Sequence, residues 1–157
     1  MNIEIKIAKL ENLKNIQNFL HSLMKYEYKN FDKTSDVQWA MSEECANYLK
    51  SRIDEENSLA LIACDDDEIV GYLSGGVQKA DTWRTMDLCG KLSDMFVEEE
   101  YRNKKVGTLL VEEFLKWAKE KGAKRVEVKA FAGNDIACNF YRKHGFEEYT
   151  TIFEREV

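Results

Sequence analysis

Asp94-Met95-Phe96-Val97-Glu98-Glu99-Glu100-Tyr101-Arg102-Asn103-Lys104-Lys105-Val106-Gly107-Thr108-Leu109-Leu110 runs from an apolar strand through a charged turn into a helix. The first turn of a helix leaves backbone N–H groups without intrahelical partners and aims the positive end of the helix dipole outward, so this passage builds an anion site. Arg102, Lys104 and Lys105 add cationic side chains at the same entrance, and Gly107, lacking a Cβ, admits a close approach to the backbone. A phosphate-bearing ligand is the first candidate. The same residues also suit an ordinary solvated βα loop, in which basic residues and a single glycine are common, so the decision falls to the rest of the chain.

Outward from this stretch, the strand begins near Met86, and the helix runs from about Lys104 to Lys121 with Val106, Leu109, Leu110, Phe114 and Trp117 as its inward stripe and Gly122 as its stop. Upstream, Ile3, Ile5 and Ile7 alternate with charges as a strand does, and Leu10 to Leu23 recur at helical spacing, predicting a helix over about Glu11 to Tyr26. Tyr28 to Asp36 reads as a loop and Val37 to Glu56 as a second helix. Ser58–Ala63 and Ile69–Val77 are strands joined by the acidic turn Asp65-Asp66-Asp67. Downstream, Arg125–Phe131 alternates as a strand, Asp135–Lys143 forms a short helix ended by Gly145, and Glu147–Glu156 reads as a final strand. This order calls for an α/β chain, 1–157 as a single domain, with a mostly antiparallel sheet and helices on both faces. One parallel pair is expected, because the strands ending at Val97 and starting at Arg125 flank a crossover helix.

Composition narrows the function. With 157 residues, 44% hydrophobic and 33% charged, the chain is sized for one real core. No apolar run approaches the roughly 18 residues of a membrane span, and the N-terminal residues lack a signal-peptide core, so a cytoplasmic protein without membrane partner is expected. A net charge of −6 argues against a nucleic-acid partner and is compatible with a cationic amine. The four cysteines are scattered with no Cys-x-x-Cys pair and read as buried free thiols, and two histidines are too few for a His-based metal site, so no metal is expected.

A second motif bears on the first. Asn134-Asp135-Ile136-Ala137-Cys138-Asn139-Phe140-Tyr141-Arg142-Lys143-His144-Gly145-Phe146 resembles the Asn-x-x-Ala-x-x-Phe-Tyr-x-x-x-Gly-Phe signature of the GNAT superfamily, the acyl-CoA-dependent N-acetyltransferases. Val97, Arg102, Val106 and Gly107 likewise resemble that superfamily's pyrophosphate loop, Arg/Gln-x-x-Gly-x-Gly/Ala. Lys105 stands where the family keeps its first glycine, which requires a backbone that tolerates a Cβ there. The resemblance spans about Leu88 to Phe146 and leaves the N-terminal half, where specificity would lie, unconstrained.

The resemblance implies a GNAT-like fold in which the parallel pair splays and the backbone of Met95, Phe96 and Val97 bonds the pantetheine of acetyl-CoA (coenzyme A) like a strand partner. It also implies that Arg102, Asn103, Lys104, Lys105, Val106, Gly107 and Thr108 hold the pyrophosphate, that Asn134 and Asn139 touch the cofactor, and that Tyr141 lies near its sulfur. A phenol with pKa about 10 is protonated at neutral pH and can serve as acid to a departing thiolate. For the base, Asp94 or an ordered water is the choice, with Asp87, Glu98 and Glu27 as other carboxylates able to face an amine channel. Strand parity puts Asp94 on the face opposite Lys91, Ser93 and Val97. The expected acceptor is a small amine, of aminoglycoside or polyamine type, or a protein amine, bound near Tyr26, Tyr28, Phe31, Asp32, Trp39 and Trp83. A homodimer is compatible with the family. A non-catalytic acyl-CoA-binding sensor or interaction module of the same fold is the alternative.

Overall fold

The alternating isoleucines near the N-terminus form β1 (Ile3–Ile7), the edge of a five-stranded sheet in the computed structural model, which describes residues 1–157. β1 pairs antiparallel with β2 (Ser58–Asp65), β2 with β3 (Glu68–Lys79), and β3 with β4 (Leu88–Val97), while β5 (Arg125–Val128) lies parallel to β4. Four α-helices complete the chain: α1 (Leu13–Asn30), α2 (Glu43–Asp54), α3 (Val106–Glu120) and α4 (Asp135–Lys143).

β2 is buried along nearly all its length because it faces protein on both sides. Ala60, Ile62 and Cys64 pack with Ile16, Phe19 and Leu20 of α1 and with Cys45 and Leu49 of α2. Leu59, Leu61 and Ala63 pack with Val106, Leu110, Val111 and Phe114 of α3. Helices therefore cover both faces of a mostly antiparallel sheet with one parallel pair, as expected.

Several boundaries differ from the sequence reading. α1 continues to Asn30, four residues beyond Tyr26, because its last turn is polar on its solvated sides and is closed by the Phe31 N–H donating to the Glu27 carbonyl at 2.8 Å. The expected helix over Val37–Glu56 is split. Val37–Met41 is a 3-10 turn capped by Asp36, and Ser42 then accepts from the Cys45 N–H at 3.1 Å and starts α2 afresh. The expected final strand over Glu147–Glu156 does not form. β5 is only four residues long, so no edge of matching length exists for the tail to pair with. Side chains hold its start instead: Glu148 pairs with Arg142, and Tyr149 lies under the Arg84 guanidinium at 4.7 Å.

Two features of β4 position the site. Pairing with β5 stops at Leu92↔Val128, while β4 continues to Val97 bonded only to β3, so past Leu92 one edge of β4 has no strand partner. At the same level the β3 register steps from Ser74↔Asp94 to Gly75↔Leu92, leaving Ser93 as an extra, bulged residue. The bulge resets the alternation. Leu92 and Met95 both lie against the α3 core, Asp94 faces the α1–α2 side, and Lys91, opposite Gly76, faces that side too. The parity argument that set Asp94 and Lys91 on opposite faces is thereby overturned, since a period of two survives only in an unbulged strand.

Candidate functional site

The turn between β4 and α3 takes two left-handed residues, Asn103 at φ 60° and Lys105 at φ 66°, ψ 4°. Lys105 thus keeps the conformation that a glycine would favour. It is the residue before α3, which begins at Val106, two residues later than the sequence pattern suggested. No side chain caps this end, so the N–H groups of Val106, Gly107 and Thr108 have no intrahelical or capping partner. Arg102 shapes the turn from within: its Nε donates to the Val97 carbonyl at 3.0 Å and its guanidinium lies 5.5 Å from the Phe96 ring centre. Lys104 sits over the Tyr101 ring.

α4 packs directly on this helix entrance. A Cβ at Gly107 would lie 3.3 Å from the Phe140 ring, so what the bare glycine admits is Phe140. His144 Nδ1 lies 2.7 Å from the Phe140 carbonyl and Nε2 lies 3.0 Å from the Thr108 hydroxyl. Donation of the Nδ1 proton to the carbonyl leaves Nε2 to accept from Thr108. The two motifs, some thirty residues apart in sequence, are therefore neighbours in space.

Within the second motif, Asn134 caps α4, accepting from the Ala137 N–H at 3.1 Å. Asn139 is exposed and accepts from Arg142 at 2.9 Å. Tyr141 is half-buried, edge-on to Phe140 and Phe146. Burial, then the fields of Asp94 and Glu27, push its phenol up to about 12. It keeps its proton across the physiological range.

Asp94 lies on the α1–α2 face of β4. Its Oδ2 accepts from Tyr48 of α2 and from Ser74 of β3, each at 3.1 Å. Burial raises its pKa above the ordinary carboxylate value, against the opposing pull of the Ser74 and Tyr48 hydrogen bonds and of Arg52. Tyr48 is held by tilted packing on Trp39 and by the Arg52 guanidinium 5.1 Å from its ring centre. Tyr48 and Ser74 carried no functional signal in the sequence; Asp94 meets them on the face it shares with Phe96, and the bulge at Ser93 brings Lys91 to that face too. Glu27, on the Ile16–Leu20–Leu23 stripe of α1, is half-buried, and its carboxyl is raised by burial first, then by Asp94 and Asp32.

The other candidate carboxylates and aromatics divide. Glu98 is raised by burial and then by Glu68 and Glu100. Asp32 is occupied by Thr34 and Ser35 of its own loop, at 2.6 to 3.2 Å. Phe31 stacks on Phe131 at 5.5 Å, linking the end of α1 to the segment before α4, and Tyr26 packs edge-on to Phe31. Trp83 is 70% exposed and stacks with Arg84, outside this group.

Comparison with known proteins agrees with this geometry. The chain matches the acetyltransferase (GNAT) family over residues 17–146. It is 25% identical over 118 residues to N-alpha-acetyltransferase 30 of Schizosaccharomyces pombe, covering 74% of this chain and 77% of that protein. Its fold is similar to that of a mutant of the BH1408 protein from Bacillus halodurans, with a TM-score of 0.81 at 18% identity over 98% of this chain and 99% of that one. It is also similar to AAC(6')-Iy in complex with the bisubstrate analog CoA-S-monomethyl-acetylneamine, with a TM-score of 0.75 at 15% identity over 100% and 99% of the two chains.

Proposed function

This chain belongs to the GNAT acetyltransferase family, and on that premise we propose that it transfers an acetyl group from acetyl-CoA to a primary amine of a small molecule, of aminoglycoside or polyamine type, or of a protein. The reading rests on one juxtaposition: the free N–H groups that open α3 lie against α4, which carries Tyr141, through Phe140 on Gly107 and His144 on Thr108, and β4, whose edge past Leu92 has no strand partner, runs into the same turn.

The residues present fit coenzyme A. Past Leu92 the edge of β4 that faced β5 has no strand partner, so the backbone groups of Met95 and the Val97 N–H, which alternate away from β3, suit an extended amide-bearing arm, with Phe96 between them bonded to β3 and the Val97 carbonyl held by Arg102. The free N–H groups of Val106, Gly107 and Thr108, with the cations of Arg102, Lys104 and Lys105, suit a pyrophosphate. Asn103, in its left-handed conformation, shapes that cradle, while the side-chain amide nitrogens of Asn134 and Asn139 stay available to the cofactor. When bound, acetyl-CoA supplies an activated thioester carbonyl.

Asp94 takes a proton from the acceptor ammonium, directly or through a water. Its raised pKa brings it closer to that task than an exposed aspartate would be. Tyr48 and Ser74 fix Oδ2 and leave Oδ1 to the acceptor. Tyr141 holds its proton at the phenol oxygen and would be the residue to supply it to a departing thiolate.

Thiol release from acetyl-CoA in the presence of a panel of amines tests the proposal. Turnover on at least one amine is expected, and Tyr141→Phe should lower kcat by about 10²-fold or more while the cofactor Kd changes little. An unchanged kcat removes Tyr141 as the acid. Cofactor binding without turnover on any amine removes the acetyl-transfer reading.

A further inference from the structure

We propose that β1 is a docking edge for a second copy of this chain, and that two β1 strands pair antiparallel about a two-fold axis at Ile5, joining two five-stranded sheets into one.

The register of β1 on β2 decides which of its backbone groups are free. In an antiparallel pair, alternate residues exchange both hydrogen bonds with the neighbouring strand, and the residues between them direct N–H and C=O the other way. The Ala8 N–H donates to the Ala60 carbonyl at 2.8 Å, and the same register sets Lys6 against Ile62 and Glu4 against Cys64. The even-numbered residues therefore bond β2. Ile3, Ile5 and Ile7 turn their N–H and C=O groups outward, and because β1 is the last strand on its side of the sheet, no strand meets them. Such an edge is a ready template for another strand unless something blunts it. β1 contains neither a proline nor a register shift, and its lysine, Lys6, lies 3.0 Å from Glu4 on the same face.

The strand is complementary to itself in one register. With Ile5 opposite the second copy's Ile5, Ile3 meets the second copy's Ile7 and Ile7 its Ile3, so every outward-turned residue finds an outward-turned partner. Glu4 then lies opposite the second copy's Lys6, and Lys6 opposite its Glu4, at the non-hydrogen-bonded positions where side chains come closest. Sliding the pair by one step of the ladder sets Glu4 against Glu4 in one direction and Lys6 against Lys6 in the other. Like charges directly opposite are destabilising, so both slips are disfavoured. Exposure on this edge fits the same register. Ile3 and Ile5 pack against the core on the α3 side, whereas Ile7 is 67% exposed, and it is Ile7 that gains the second copy's Ile3 as a neighbour. One patch serves both copies, so the contact is isologous and closes at two chains.

Sedimentation velocity of the full chain, over a concentration series spanning the micromolar range, tests the proposal, with thermal denaturation checking that each variant folds. Wild type should pass from one chain toward two. Glu4→Lys and Lys6→Glu each set like charges opposite one another across the axis, so each alone should weaken the dimer by about tenfold or more. Mixed together, the two variants again oppose lysine to glutamate at every such position, and the mixture should dimerise as wild type does. The doubly exchanged chain, Glu4→Lys with Lys6→Glu, should also dimerise like wild type, which keeps the charge test intact if a single variant is unstable. Ile7→Pro removes an outward N–H that β2 does not use, so it should abolish pairing while the melting temperature of the single chain stays close to that of wild type. Wild type that remains one chain throughout overturns the proposal. A dimer that the single charge variants leave intact, single variants that do not pair on mixing, or growth past two chains overturns it equally.

Discussion

Lys105 shows how one side chain can depart from a motif without changing its backbone. An L-residue in the left-handed region costs about 1–2 kcal/mol relative to the right-handed one, and the end of the β4–α3 turn pays it. Lys105→Gly should therefore stabilise the fold by up to about 1 kcal/mol, part of the relief being offset by the freer unfolded chain. It should also weaken coenzyme A binding through loss of the cation, which thermal denaturation and calorimetry would separate. Asp94 gives a sharper test because its two roles pull apart. Its pKa is raised in the folded state, so its contribution to stability is full below the ordinary value of about 4 and is lost as pH climbs through the raised value. Asp94→Asn keeps an acceptor for Tyr48 and Ser74 but cannot ionise. Relative to wild type it should gain melting temperature between acid and neutral pH, while kcat falls by about 10²-fold and the acid limb of the pH–rate profile disappears. A variant that loses Tm equally at all pH values would show that the carboxylate is not under this strain.

At the scale of elements, the contact between α3 and α4 joins the two motifs. Gly107 has ordinary helical backbone, so alanine would ordinarily be welcome there, yet its methyl would press on Phe140 at 3.3 Å. Gly107→Ala should cost about 1–2 kcal/mol by urea denaturation and lower turnover by tilting α4, which carries Tyr141. A neutral or stabilising effect would mean that α4 gives way without consequence. On the acceptor side, Ser42 starts α2 and thereby sets where Tyr48 meets Asp94. Ser42→Ala should cost about 1 kcal/mol, and Ser42→Asp should recover most of it. The helical periods of α1 and α3 were legible because each buries a long apolar stripe. The break at Ser42 was not, since local capping chemistry competes with an apolar spacing that continues through it.

For the whole molecule, the sheet order follows chain order, and β4 runs on to Val97 after its pairing with β5 ends at Leu92. The last residues contribute little to the sheet: Ile152 and Phe153 are 71% and 91% exposed. A chain ending at Tyr149 should keep its stability within about 0.5 kcal/mol, read by thermal denaturation, and a larger loss would mean that the tail finds a strand partner after all. Residue order alone determined the class of fold, the crossover from β4 through α3 to β5, and the two motifs, because period, turn chemistry and spacing are local properties written into neighbouring residues. Tertiary structure alone decided which side chains meet. A single bulge at Ser93 puts Asp94 and Lys91 on one face, Asp94 meets Tyr48 of α2 and Ser74 of β3 there, and packing of Phe140 on Gly107 sets α4, which carries Tyr141, against the start of α3. Such contacts join residues dozens of positions apart, and their geometry depends on where a strand breaks its alternation, which no local pattern records.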